Sequence, residues 1–429
     1  PFAPGLDVPG ILRRLTRTNI VSVDRAAKTV TLHPIDQDYA YSQLPEEESA
    51  GSEYTRQALE RRAADYYVQL RTPEETWESI DDLEPQLNAF EHRVRAEDYD
   101  KAYLLTEPIS FNCLFQWGYY AKLAKLWERL LGYVEDPLLS SAHLGHLGIV
   151  HRVLGHYEMA IQITSKALFL AVATGSSRWQ SAWLGNLGIV HRDLGELERA
   201  IDLFKQALEH ARRESHRPSE AQWLISLAQT YFDLGDTEQS LQYYKKGLAI
   251  AENLGHITPG DLRIVQFARV LLADGNYHRA CTCFREALAA MVPHTGYRAA
   301  VGLGITELHQ GDPTARDTFQ EAICCSQEVL DRTRGVYKPR YALATALVGQ
   351  AVCDQRWADE SQRPELLAPA LEEYRHALEI TAAPGVVQDA LHDLELIRAA
   401  GIEGLEPVFE LLESAEYEPD EVSTDIFEE

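Results

Sequence analysis

The sequence predicts an all-α chain built as a solenoid of stacked helical hairpins, and three observations carry that prediction. First, "LGIVHRVLGHYEMA" at 147–160 returns forty residues later as "LGIVHRDLGELERA" at 187–200. Second, further positions keep the same step: Leu147-Gly148, Leu187-Gly188, Leu227-Ala228 and Phe267-Ala268; Gly155, Gly195, Gly235 and Gly275; Ala160, Ala200, Ser240 and Ala280; Ala167, Ala207, Gly247 and Ala287. Third, almost every segment after Glu53 spaces its apolar residues at a helical period. A fixed period of this length marks an array, in which each unit buries its apolar face only against its neighbours.

The front end differs. "ILRRLTRTNI" reads as a helix, "IVSV" and "TVTL" alternate as strands of a β-hairpin around "DRAAK", and "IDQDYAYSQL" resumes a helical pattern. "PEEESAGSE" then suits a linker. Residues 1–44 are therefore expected to form one small module, and 45–134 a helical linker with degenerate repeats. Within that linker Leu59, Ala63, Tyr66, Tyr67 and Leu70 fall on one helical face, and "RAEDYDKAYLL" anticipates the later hairpin turns.

The array proper is expected over 135–384 as six hairpins. The fifth carries Leu303-Gly304, Gly311, Ala315, Phe319 and Ala322; the sixth has an enlarged turn, "RWADESQRPELL". "GVVQDALHDLELIRAAG" begins capping helices over 385–413, and the acidic stretch 414–429 is expected to be disordered. Within each unit the central glycine supplies the turn, and small residues such as Gly148 and Ala160 let two helices approach closely.

Composition excludes several function classes. At 429 residues the chain exceeds one hydrophobic core, and 45% hydrophobic with 25% charged residues reads as folded. No apolar run reaches the roughly 18 residues of a membrane span, so a cytoplasmic protein without a membrane partner is expected. The formal charge of -26 opposes binding to phosphate backbones, which removes nucleic acid as a direct partner. Eleven acidic residues and no Lys or Arg follow Gly401. Six cysteines form no CxxC pair and read as small buried apolar residues in a reducing compartment.

No catalytic constellation stands out. His151 and His191 recur with the repeat, but no partner recurs with them, so they read as packing residues. His143 and His146 lack a third ligand at fixed spacing, so no metal is expected. Trp179, Trp183 and Trp223 read as packing between units. GxSxG, HExxH, GxGxxG and phosphate-loop motifs are absent, and the chain is not expected to be an enzyme.

The Leu-Gly pair, turn glycine, alanine, aromatic and second alanine resemble the tetratricopeptide repeat over residues 141–380. The usual unit is about thirty-four residues; the step here resembles a longer-helix variant found in scaffolds and sensors. The resemblance implies a right-handed superhelix whose first helices line a concave groove. Carried over position by position, the wall is Gly145, Ile149 and Arg152; Gly185, Ile189 and Arg192; Gln222, Ile225, Gln229 and Phe232; Leu262, Val265, Arg269 and Leu272. Arg152, Arg192 and Arg269, with Gln222 and Gln229, suit an acidic or polar peptide, since guanidinium groups pair with carboxylates. The other reading of these arginines is that they bridge to neighbouring carboxylates on a solvated face.

The elements around "TLHPIDQDYAYSQL" resemble the end of the winged-helix domain of signal-transduction ATPases with numerous domains, or STAND proteins of the NB-ARC kind. In that group a histidine after a strand reaches the phosphate of bound ADP, and His33 in "LHP" matches the step. The resemblance implies a winged-helix remnant before the array and the carboxyl-terminal sensor half of a bacterial receptor in signalling or defence. No cofactor is then expected within this chain, and ADP or ATP would bind an upstream nucleotide module. Groove binding of a protein or peptide would relieve autoinhibition and permit oligomerisation. Two alternatives stand beside it: a constitutive scaffold, or the repeat region of a transcriptional regulator.

Overall fold

The computed structural model describes residues 21–24, 29–32, 41, 42, 44, 55–255, 262–290, 293–332, 336–357 and 363–419. They fall into two units, Pro1–Thr106 and Glu107–Glu429. In the first, β1 (Val21–Asp24) and β2 (Thr29–Leu32) pair antiparallel, Val21 opposite Leu32 and Asp24 opposite Thr29. His33 and most of the segment likened to a winged helix lie outside the described residues.

Helix α1 (Arg56–Gln69) begins at Thr55, whose hydroxyl accepts from the Ala58 N–H at 3.1 Å. It does not bury the face expected from its tyrosines: Tyr66 is 58% and Leu70 47% exposed, while Glu60 and Ala64 are buried. Glu60 tolerates burial because its carboxylate meets the Tyr41 hydroxyl at 2.8 Å and His92 Nδ1 at 2.5 Å. Helix α2 (Glu84–Arg95) ends with the Asp98 N–H donating to the Arg93 carbonyl at 3.0 Å, with Glu97 in the left-handed region, before α3 (Tyr99–Ile109).

In the second unit a π-helical turn, Ser110–Phe115, and α4 (Tyr120–Glu128) precede six hairpins. The first three are α5 (Pro137–Val153) with α6 (Tyr157–Ala173), α7 (Ser177–Asp193) with α8 (Leu197–Arg213), and α9 (Arg217–Asp233) with α10 (Thr237–Asn253). The next three are α11 (Leu262–Ala273) with α12 (Tyr277–Ala289), α13 (Pro293–Gln310) with α14 (Ala315–Arg332), and α15 (Tyr337–Trp357) with α16 (Arg363–Ile380). In the first five hairpins the first helix closes on a left-handed glycine, followed by a backbone bond reaching five residues back. At Gly155 the His156 N–H reaches the His151 carbonyl at 2.9 Å, and Gly195, Gly235, Gly275 and Gly311 repeat the closure.

Small residues set the helix spacing. A Cβ at Gly148 would lie 2.2 Å from Thr164 Oγ1, so α5 and α6 approach only because that atom is missing. Gly145 and Gly185 work between hairpins: a Cβ there would lie 2.3 Å from the Trp183 ring and 2.2 Å from the Trp223 ring. Both glycines, expected on the groove wall, therefore serve as seats for indoles. Each indole N–H donates to the serine one unit back, Trp183 to Ser141 at 3.0 Å and Trp223 to Ser181 at 2.9 Å. The serines donate onward to the carbonyls of Ala167 and Ala207. The relay ends where Ala221 and Arg263 replace serine and tryptophan.

Beyond the sixth hairpin the chain turns back into the array. Helix α17 (Pro384–Ala399) packs against α7, α13 and α15, and α18 (Glu406–Glu413) packs against α16 and α17. Tyr417, in the stretch expected to be disordered, donates to Glu158 at 2.8 Å; residues 420–429 lie outside the described residues.

Gly145→Ala is expected to destabilise the first two hairpins by about 1–3 kcal/mol through overpacking against Trp183. Trp183→Leu relieves the same overlap, so its cost and that of Gly145→Ala should be less than additive in the urea midpoint.

Candidate functional site

The last turns of α5, α7 and α11 aim three arginines at one interior charge web. Arg152 Nη1 donates to Asp193 Oδ2 at 2.8 Å. Arg192 donates to Gln229 Oε1 at 2.5 Å and also approaches Asp193 at 3.4 Å and Asp233 at 3.6 Å. Arg269 donates to Asp389 at 3.3 Å and Asp393 at 2.8 Å, both on α17. Four of the five groove residues singled out in the sequence thus meet here; Gln222, half-buried on α9, stands apart.

Sequence reasoning passed over the acidic half of the web. Asp193, its side chain 4% exposed, is shared by Arg152, Arg192 and Lys338, with Lys338 Nζ at 3.4 Å. The Tyr337 hydroxyl donates to the same carboxylate at 3.4 Å. A signal for it exists: the two near-identical copies differ at Val153 and Asp193, where "HRV" becomes "HRD".

Burial alone would raise the Asp193 carboxyl, but Lys338, Arg152 and Arg192 overcome it and hold the group well below the usual carboxylate range. Burial pushes the Lys338 ammonium down to about 7 against the pull of Asp193. Burial and the charge of Asp389 push Asp233 up to about 7, outweighing Arg192 and Arg269. Arg192 and Arg269 resist the burial penalty because their carboxylate partners favour the charged form.

Helix α17 completes the site. The Phe232 ring meets His392 edge to face at 4.9 Å, and His309 Nε2 donates to the Leu396 carbonyl at 2.8 Å. Beside α17 lies a cavity of about 340 Å³ lined by Phe232, Asp233, Gln388, Asp389 and His392. A smaller one, about 70 Å³, is lined by Arg269, Arg298, Lys338, Asp389 and Asp393.

The repeated histidines lie elsewhere. His151 Nδ1 is 3.3 Å from His156 Nδ1, and His191 Nδ1 is 2.7 Å from Glu196 Oε2, so each sits across its own hairpin turn. Burial, and then His156, push the His151 imidazole down to about 4. His143 contacts the Trp127 carbonyl at 2.9 Å, and His146 sits among the rings of Phe111, Trp127, Trp179 and Trp183. No cluster of three metal-ligating side chains occurs among the described residues. The six cysteines are unbridged; Cys113, Cys281 and Cys353 are buried, whereas Cys324 is exposed, contrary to its reading as a core residue. Among the described residues no helix is long and apolar enough to cross a membrane.

Asp193→Asn leaves clustered cations uncompensated and is expected to cost about 3–5 kcal/mol, read as a lowered urea midpoint. Asp233, held above its unfolded value of about 3.9, contributes stability that is present below that value and lost as pH rises through about 7. Asp233→Asn should therefore lessen the fall in thermal midpoint between pH 5 and pH 8. An unchanged fall would remove Asp233 as its source.

Residues 138–213, 179–253 and 265–329 match the tetratricopeptide repeat family. No curated protein matches the chain in sequence. Among solved structures, a Rap protein complexed with competence and sporulation factor is 16% identical at a TM-score of 0.52, covering 76% of this chain and 97% of its own. The Rap conjugation gene regulator of plasmid pLS20, in complex with the Phr* peptide, is 14% identical at 0.51, covering 77% and 97%. A STAND protein with a tetratricopeptide repeat sensor from Pyrococcus horikoshii is 16% identical at 0.53; the match covers 95% of this chain and 60% of that one. Over residues 138–253 and 265–329 the chain carries a tetratricopeptide-repeat array, and its fold resembles that of a STAND protein with such a sensor.

Proposed function

We propose that this chain is the ligand-sensing region of a bacterial, cytoplasmic receptor of the STAND type, and that its interior groove takes a protein or peptide. The observation that carries the reading is Arg269, on the first helix of the fourth hairpin, gripping two carboxylates of a helix laid along the interior. A groove that holds one acidic helix through charge-assisted bonds has the chemistry to hold another. The fold likeness to the STAND protein, and to Rap structures solved with a factor or peptide, supports the same reading.

Arg152, Arg192, Gln229 and Arg269 are the residues assigned to ligand binding, Arg152 and Arg192 as positioning residues through Asp193 and Arg269 as a direct contact. Gln222 is assigned to the rim of the groove. In the intact receptor His33, within a winged-helix remnant over residues 1–44, would touch the phosphate of ADP held by an upstream module. Ligand binding would favour the open receptor only by being tighter there than in the closed one, and oligomerisation would follow.

The test uses the whole gene product, with any nucleotide module that it contains. His33→Ala is expected to speed ADP release several-fold in a stopped-flow chase with unlabelled nucleotide. A product that binds no ADP, or one whose release rate ignores the substitution, would favour the constitutive scaffold.

A further inference from the structure

Helix α17 is seated as a ligand would be. Asp389 and Asp393 stand one helical turn apart and both meet Arg269. Its first turn touches the wall so closely that a Cβ at Gly385 would lie 2.1 Å from the Arg192 carbonyl oxygen and 2.9 Å from that of Asp193. His309 holds the far end through the Leu396 carbonyl.

The seat is nevertheless incompletely filled, whereas a permanent core element packs without gaps. The cavity beside Gln388 and His392 stays open along the first half of the helix, from Pro384 to His392. His392 Nε2 and the Tyr244 hydroxyl are shielded from solvent and have no hydrogen-bond partner among the described residues. Arg298 lines the second cavity beside Asp389 and Asp393, lies over the Tyr297 ring at 5.8 Å and helps hold the Asp389 carboxyl down by its charge, without a close ion pair among the described residues. The wall of the seat thus holds one polar group, the Tyr244 hydroxyl, and one cation, Arg298, that α17 does not engage by a hydrogen bond or an ion pair among the described residues.

This inference rests on the groove being a protein-binding surface and deepens that reading. We propose that the groove's ligand is an α-helix of a partner protein with carboxylates at positions i and i+4, and that α17 occupies the same seat and is exchanged for it. Tethering places α17 at a high effective concentration, so a helix added in trans must compete with it. Weakening the grip on α17 should therefore expose the seat.

The probe is a fluorescein-labelled peptide with the sequence of residues 384–399, added to the full chain and followed by anisotropy. Gly385→Val removes the room at the wall, and the variant chain is expected to bind the peptide at least about tenfold tighter than the unaltered chain. Adding Arg269→Glu should abolish that binding, as should Asp389→Lys with Asp393→Lys in the peptide. Should Gly385→Val fail to fold by circular dichroism, Asp389→Asn with Asp393→Asn in the chain carries the same comparison. Absent binding to a folded variant, or equal affinity for variant and unaltered chain, overturns the exchange and makes α17 a fixed part of the core. Peptide exchange that leaves ADP release untouched in the whole gene product would sink the receptor reading alone; ADP release governed by His33 without peptide exchange would sink this inference alone.

Discussion

One carboxylate organises the interior of the array. Asp193 draws together Arg152 from the first hairpin, Arg192 from its own, and Lys338 with Tyr337 from the sixth. In a poorly hydrated interior each of these contacts is stronger than at the surface, and each is correspondingly costly to leave unmade. Arg192 spreads its donors over Gln229, Asp193 and Asp233, the bond to Gln229 being the shortest. Two of the wall's three arginines thus share one acidic side chain, while Arg269 is held by Asp389 and Asp393.

The outer contacts obey different physics. Between the first three hairpins, indole rings fill the space left by Gly145 and Gly185, and each indole N–H is satisfied by a serine that is itself satisfied by a carbonyl. Close packing there is apolar in bulk and closed in its hydrogen bonding. The interior is polar, charged and gapped. That contrast separates the part of the array that carries the fold from the part suited to recognition.

The repeat was legible because its determinants are local: a glycine at each turn and small residues at helix crossings recur at one step. The tryptophans and the repeated histidines were legible as packing for the same reason. The arginine ladder was visible too; its side chains do bridge to the chain's own carboxylates, but Arg152 and Arg192 do so in a buried web and not on the solvated face that reading assumed. What stayed hidden was the identity of the partners. Asp389 lies 120 residues from Arg269 and Lys338 lies 145 from Asp193, separations that no periodicity encodes. The faces of α1 misled because a buried glutamate, satisfied by Tyr41 and His92, mimics a polar surface position.

The grip of Asp193 on Lys338 also makes the array a counting device. Tandem arrays lengthen easily, since a duplicated block of the same period stacks by contacts already present. Here an extra block between Arg213 and Arg217 would carry the sixth hairpin past the carboxylate and strand it between two arginines. Growth by duplication, cheap along the outer packing, would here strip the interior of one of its cations, so the charge web and not the stacking surface penalises a change in the number of units.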